Sequence, residues 1–190
     1  MKKLIVLLLA SCYLLIISGC GSTDTSDSTA DNPLYYTYSA SSFALEVPND
    51  WETISQFTSD YPQNTLVAFR NNLKDLSFIA NVNIVANAVN KGMNNGDYAL
   101  EMLQTHSENL IDYRLIEKQE IEILINGQST PTYLNYFEGR NSVDSDILEF
   151  VQVYGVNNQI GYIVTATFLP EEDNFIVENA VHVVKSLELK

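Results

Sequence analysis

The chain has 190 residues, 46% of them hydrophobic, and a formal net charge of −14. That acidity sets it against nucleic acid, whose phosphates would repel it, and against flat docking on anionic lipid. With two cysteines and two histidines in all, it has little material for a disulfide framework or a zinc site.

The first segment joins Lys2 and Lys3 to an apolar stretch from Leu4 to Ile17 and the small residues Ser18 and Gly19, ending at Cys20. The stretch has the length of a signal core and falls short of the roughly 20 residues a spanning helix needs. The arrangement resembles a bacterial lipoprotein signal peptide over 1–19, with Cys20 as the lipid-attachment residue. Two or more acyl chains on that cysteine would give a stable membrane tether, where one gives only marginal binding. Cleavage there removes 19 of 190 residues and leaves 171, with 8 basic against 24 acidic side chains, a formal charge of −16. Cys12 leaves with the signal, so no disulfide within the mature chain is expected, and a packed core must hold it together. The expected location is extracytoplasmic and lipid-anchored at the cell membrane, on the periplasmic side or the outer surface.

Residues 21–33 contain no hydrophobic side chain larger than alanine. Such a segment cannot bury enough apolar area to offset its ordering entropy. The region 20–34 therefore reads as the lipidated cysteine and a flexible acidic linker, with a reach of about 20 Å. A single folded domain is expected over 35–190.

Within it, Tyr35, Tyr36 and Tyr38 suggest an edge strand and a possible partner-docking surface. Phe43, Leu45 and Val47 alternate with Ala44 and Glu46 up to Pro48, as a half-buried strand does. Trp51 follows as a core residue, with a ligand platform as the alternative. Leu66–Phe69 is a short apolar run. From 78 to 86, Phe78, Ala80, Val82, Ile84 and Ala86 share one face, with Asn81 and Asn83 on the other. Residues 97–112 predict a helix with Ala99, Leu100, Leu103, Leu110 and Ile111 near one face. Ile121, Ile123 and Ile125 alternate into Asn126-Gly127, a pair suited to a tight hairpin turn, with a return strand over 130–138. A second hairpin joins 147–154 to 159–168 around Asn157-Asn158. Residues 171–187 predict the last helix, with Glu171, Glu172 and Asp173 in its first turn and Ile176, Ala180, Val183, Val184 and Leu187 as its stripe.

Strand 147–154 is apolar on both faces: Leu148, Phe150 and Tyr154 on one, Ile147, Val151 and Val153 on the other. A strand of that kind is covered on both sides. The fold class expected is α+β, a twisted antiparallel sheet flanked by helices on both faces, an α/β/α sandwich.

Two stretches carry a family resemblance. Phe43-Ala44-Leu45-Glu46-Val47-Pro48-Asn49-Asp50-Trp51 is similar to the opening of PsbP-like domains, an aromatic strand followed by Pro-x-x-Trp. The close is similar too: a hairpin through Tyr154 and Tyr162, Thr165-Ala166-Thr167-Phe168, an acidic helix start at Glu171, and Val184 to Leu189. The chain thus resembles the PsbP-like and DcrB-like domain family over residues 43–189, as a bacterial PsbP-related lipoprotein would. The resemblance implies a twisted antiparallel sheet between helices. Photosynthetic members of that family are extrinsic subunits that hold ions and assist a membrane complex. Their long N-terminal segment has no counterpart here, and none of their ion-binding residues carries over.

No side-chain constellation in the sequence amounts to a catalyst. His182 stands four residues after Glu178, the spacing of a surface pair. His106 sits at the edge of the predicted helix with Glu108 and Asp112 nearby. Asp144 and Asp146, with Glu138, Asn141 and Glu149 around them, form the densest oxygen cluster in a loop and are the candidates for a hard cation. Their spacing does not fit an EF-hand, and a solvated loop is the competing reading. No cofactor is implied. The function expected is a non-enzymatic accessory or binding subunit of a membrane-associated assembly. The alternatives are a small-ligand or cation-binding lipoprotein and, third, an enzyme.

Overall fold

Residues 34–57, 61–71 and 78–190 are described by the structure, a computed structural model. The signal segment 1–19, Cys20 and residues 21–33 lie outside the described residues. All the described residues belong to the unit Asn32–Lys190.

The chain runs β1 (Tyr35–Ser39), β2 (Phe43–Pro48), β3 (Trp51–Ile54), β4 (Thr65–Asn71), β5 (Asn81–Ala88), α1 (Asn95–Asn109), β6 (Ile111–Ile125), β7 (Gln128–Arg140), β8 (Leu148–Asn157), β9 (Ile160–Phe168), α2 (Asn174–Lys185) and β10 (Glu188–Leu189). The described strands form one sheet in the order β1-β2-β10-β6-β7-β8-β9-β5-β4-β3. It curls into a half-barrel that carries the two helices. At this level the expected α+β architecture is present.

The sheet is mixed, which corrects the expectation of a wholly antiparallel one. β10 lies antiparallel to β2 but parallel to β6, with Leu189 opposite Ile125. Two residues are too few to show a periodicity, so this strand had no sequence signal. Burial holds it in place: Leu189 is fully buried, its carbonyl accepts from Asn126 N at 2.8 Å, and Lys190 N donates to Ser42 O at 3.0 Å. Gly155 makes room for it, because a Cβ there would meet Leu189 Cδ1 at 2.7 Å.

Alternation along β8 and β9 divides the core. Val151, Val153, Val164 and Ala166 join Val82 and Ile84 of β5 in a buried cluster with Ile176, Ala180, Val183 and Val184 of α2. The intervening Tyr154 and Ile163 form a second cluster with Tyr98 and Ala99 of α1. Gly161 lets the Tyr98 ring lie against the sheet, since a Cβ there would stand 2.5 Å from Tyr98 Cζ.

Helix ends follow their caps. α1 starts at Asn95 because the Asn94 side chain accepts from Asp97 N at 2.9 Å. It stops at Asn109, short of the expected Asp112. Leu110 turns extended and β6 begins at Ile111, opposite Arg140. Leu100 and Ile111, placed near one face of the predicted helix, are exposed. In α2, Asp173 caps the helix by accepting from Phe175 N at 2.9 Å. Glu171 and Glu172 therefore precede the helix and do not fill its first turn.

The Asn126-Gly127 turn has φ of 52° and 74°, the left-handed pair a two-residue hairpin requires. The second hairpin turns on Asn158 and Gln159, at 52° and 63°, one residue beyond the expected pair.

Candidate functional site

α1 covers only part of its side of the sheet. Its buried contacts reach Tyr154 and Ile163, and its last turn comes down at Gln152 through His106. Beyond that turn, strands β5, β9 and β8 continue uncovered by the helix and floor a cleft of about 600 Å³. That size falls within the usual range for small-molecule sites.

Strand register composes the floor. Asn83 stands opposite Thr165, and Thr165 opposite Gln152, so three polar side chains on three neighbouring strands point the same way. One pleat repeat further on, Asn81, Thr167 and Phe150 form a second row. Asn83, Gln152, Thr165 and Thr167 are each less than 10% exposed. Phe150 stacks on Phe137 at 5.1 Å, and Phe137 stacks on the His106 ring at 5.0 Å, which gives the cleft one aromatic wall.

Most of these polar groups hold one another. Gln152 Oε1 accepts from the Tyr154 hydroxyl at 2.6 Å and lies 3.0 Å from His106 Nε2. A carbonyl oxygen only accepts, so the His106 proton sits on Nε2. Gln152 Nε2 donates to Thr165 Oγ1 at 2.9 Å, which leaves the threonine's own proton for another acceptor. Asn83 Oδ1 is buried with no hydrogen-bond partner. A buried acceptor left in that state costs about 1–3 kcal/mol. Burial lowers the His106 pKa below its ordinary value, against a smaller raising effect of the Gln152 hydrogen bond, and burial raises that of Tyr154. Arg70 is the one permanently charged side chain among the described residues lining the cleft; Glu52 pairs with its Nη2, and its buried Nε has no partner.

A second groove of similar volume lies where the β6–β7 hairpin meets the start of α1, lined by Asn94, Glu120, Asn126 and Gln128 among others. Its walls mix exposed, part-buried and buried residues of the hairpin, β8 and the start of α1. Among the described residues lining either groove, the partnerless buried amide belongs to the β5–β9–β8 cleft.

The residues singled out from the sequence fall in different places. Cys20 lies outside the described residues. Asp144 and Asp146 are exposed in the loop between β7 and β8. Among the described residues no group of three or more His, Cys, Asp or Glu side chains comes together. Trp51 is buried in the main core. Tyr35, Tyr36 and Tyr38 lie on β1, an edge strand of the sheet. His182 meets Glu46 of β2 at 2.7 Å, not the expected Glu178, and stacks on Tyr35 at 4.0 Å. His106 faces inward to Gln152, where the sequence suggested Glu108 and Asp112 as neighbours. The sequence reading missed Asn83, Thr165 and Gln152 as a group. Their one visible signal was asparagine alternating with apolar residues in β5.

The fold is that of a PsbP-like domain. The solution structure of cyanobacterial PsbP (CyanoP) from Synechocystis sp. PCC 6803 is similar at a TM-score of 0.53 and 13% identity, over 92% of this chain and 99% of that one. The crystal structure of the Saccharomyces cerevisiae Ran-binding protein Mog1p is similar at 0.54 and 9% identity, over 82% of this chain and 95% of that one. At these identities the likeness is one of fold. No protein-family model and no curated protein sequence matches the chain.

Proposed function

We propose that this chain is a lipid-anchored, extracytoplasmic, non-enzymatic binding domain of the PsbP-like fold that takes a small ligand in the β5–β9–β8 cleft. One observation carries the reading: Asn83 Oδ1 is buried and partnerless on the floor of a cleft where Gln152, Thr165 and Tyr154 hydrogen-bond among themselves. Alternate residues of β8 packing with α1 and with α2 support helices on opposite faces, an arrangement that leaves the cleft on the α1 side. The run to Cys20 supports the anchor, and the acidic segment after it supports a spacer between membrane and domain. Two solved proteins of the same fold, cyanobacterial PsbP and a Ran-binding protein, are in keeping with recognition over catalysis.

Amide spectra of the isotopically labelled full chain in micelles, titrated with a mixed metabolite library, test the cleft. Hits should shift Asn83, Thr165 and Gln152; hits that shift only other surfaces overturn the reading. Intact mass of the membrane-extracted protein tests the anchor. Acylation should vanish in Cys20→Ser, and an unmodified Cys20 in the wild type removes the anchor from the proposal.

A partner-docking role has its own supporting observation. Leu115 and Ile116 are 42% and 41% exposed side by side on β6, which meets β10 only at Leu124 and Ile125. A free strand edge with exposed apolar residues is a surface another chain can pair with. Crosslinking from position 116 in the native membrane should capture a stoichiometric partner if that edge docks; an uncrosslinked chain removes this role.

A further inference from the structure

We infer that the ligand of this cleft is an uncharged polyhydroxylated ring, a neutral sugar. The inference rests on the cleft being a binding site and adds its chemistry.

Charge is the first argument. The rungs of the floor are amides and hydroxyls, and Glu52 compensates the Arg70 charge at Nη2, leaving the buried Nε–H without a partner. In an otherwise acidic chain the cleft is close to neutral, so it offers an ionic ligand no uncompensated partner. A charged group placed there would lose its hydration without a counter-charge.

The second argument is the pattern of free hydrogen-bonding capacity. Asn83 Oδ1 needs a donor. Its cross-strand neighbour Thr165 already accepts from Gln152, so its hydroxyl needs an acceptor. The two sit on adjacent strands, roughly 4.8 Å apart. A ligand edge must therefore donate at one point and accept one strand-spacing away. Hydroxyl groups do both, and alternate hydroxyls on a six-membered sugar ring have a comparable separation.

The third argument is the wall. The part-buried Phe150 ring stacks on the fully buried Phe137 with planes 16° apart, so Phe150 is the ring that faces the cleft, and it follows Thr167 across the next rung. A pyranose has a C–H face that packs on an aromatic surface while its hydroxyls reach sideways. Polar rungs beside a flat aromatic wall suit that shape, and they leave a long flexible chain or a metal ion poorly served.

Calorimetry of the full chain in micelles, with methyl glucoside, N-acetylglucosamine, maltose, glucuronate and uracil as probes, tests this. At least one neutral sugar should bind. Glucuronate should bind at least tenfold more weakly, and Thr165→Val should weaken the sugar about tenfold. Thr165→Val keeps the side-chain shape, so the fold should survive; an amide spectrum unchanged away from the cleft verifies that. Uracil binding that shifts Asn83 and Thr165, with no sugar binding, overturns the sugar class and leaves the cleft reading standing. A sugar whose affinity Thr165→Val does not alter overturns the assignment to this site. If no probe binds, the sugar inference fails, and the wider metabolite titration alone then decides the cleft.

Discussion

The residues packed against α2 and those packed against α1 come from the same strands and end in opposite states. On the side of α2, Val82, Ile84, Val151, Val153, Val164 and Ala166 meet the helix stripe in a closed apolar core. Against α1, the same strands contribute Tyr154 and Ile163 under the helix, then Gln152 at its last turn, with Thr165 and Asn83 farther along the same rung. Apolar burial of roughly 25 cal/mol per Å² stabilises the first set at almost every position. The second set gives up part of that stabilisation by placing amides and hydroxyls at and beyond the last turn of α1. Stability thus resides largely against α2, and the proposed recognition chemistry lies against α1.

The comparison can be broken most forcefully from the closed side. Phe168 is 1% exposed in the main core. Phe168→Ala should lower unfolding free energy by about 3–5 kcal/mol in urea titration. A loss below 1 kcal/mol would mean that this side is not the stable one.

Next in size is a change under α1. Gly161→Ala sets a methyl against the Tyr98 ring and should destabilise by about 1–3 kcal/mol, displacing the start of the helix. Amide exchange along Asn95–Asn109 reads the displacement. An unchanged exchange pattern would show that α1 is not seated through Tyr98.

Asn83→Leu sharpens the contrast by making the open side resemble the closed one. It removes the partnerless acceptor and should raise stability by about 1 kcal/mol while abolishing ligand binding. A clear loss of stability would instead make Asn83 a structural amide.

The smallest effect expected is a pH dependence. Burial holds the folded His106 pKa below 6.5, its ordinary value. Above pH 6.5 folded and unfolded chains both keep it neutral, and its contribution is fully present. As pH falls below that value the unfolded chain takes up the proton first, so stability declines until the folded pKa is passed. His106→Gln should flatten the denaturation midpoint between pH 7.5 and 5.5 relative to wild type. Equal slopes in the two proteins would place the sensitivity elsewhere.

Much of the fold was readable because most of its strands have one buried face. Val82 and Ile84 alternating with Asn81 and Asn83 announced both faces of β5. Asn126-Gly127 announced its hairpin because few residue pairs accept two positive φ angles at little cost. The first half of β6 was invisible for the opposite reason. From Ile111 to Glu120 all but Tyr113 are exposed, so no alternation is imposed on them, and the helical reading ran on to Asp112. β3 and β10 are too short for any period to show.

Local pattern, then, was enough for the strand faces, the two helices, the tight turn and the PsbP-like order of elements, since each depends on residues adjacent in the chain. The candidate site needed the fold. Asn83, Thr165 and Gln152 lie far apart in sequence and become neighbours only through antiparallel register. Asn83 became the key residue only because α1 meets its rung at Gln152, two strands away, and leaves Asn83 Oδ1 without a partner. Where a helix stops relative to the strands beneath it is a tertiary fact, set by the seat of Tyr98 on Gly161 and by the turn at Leu110.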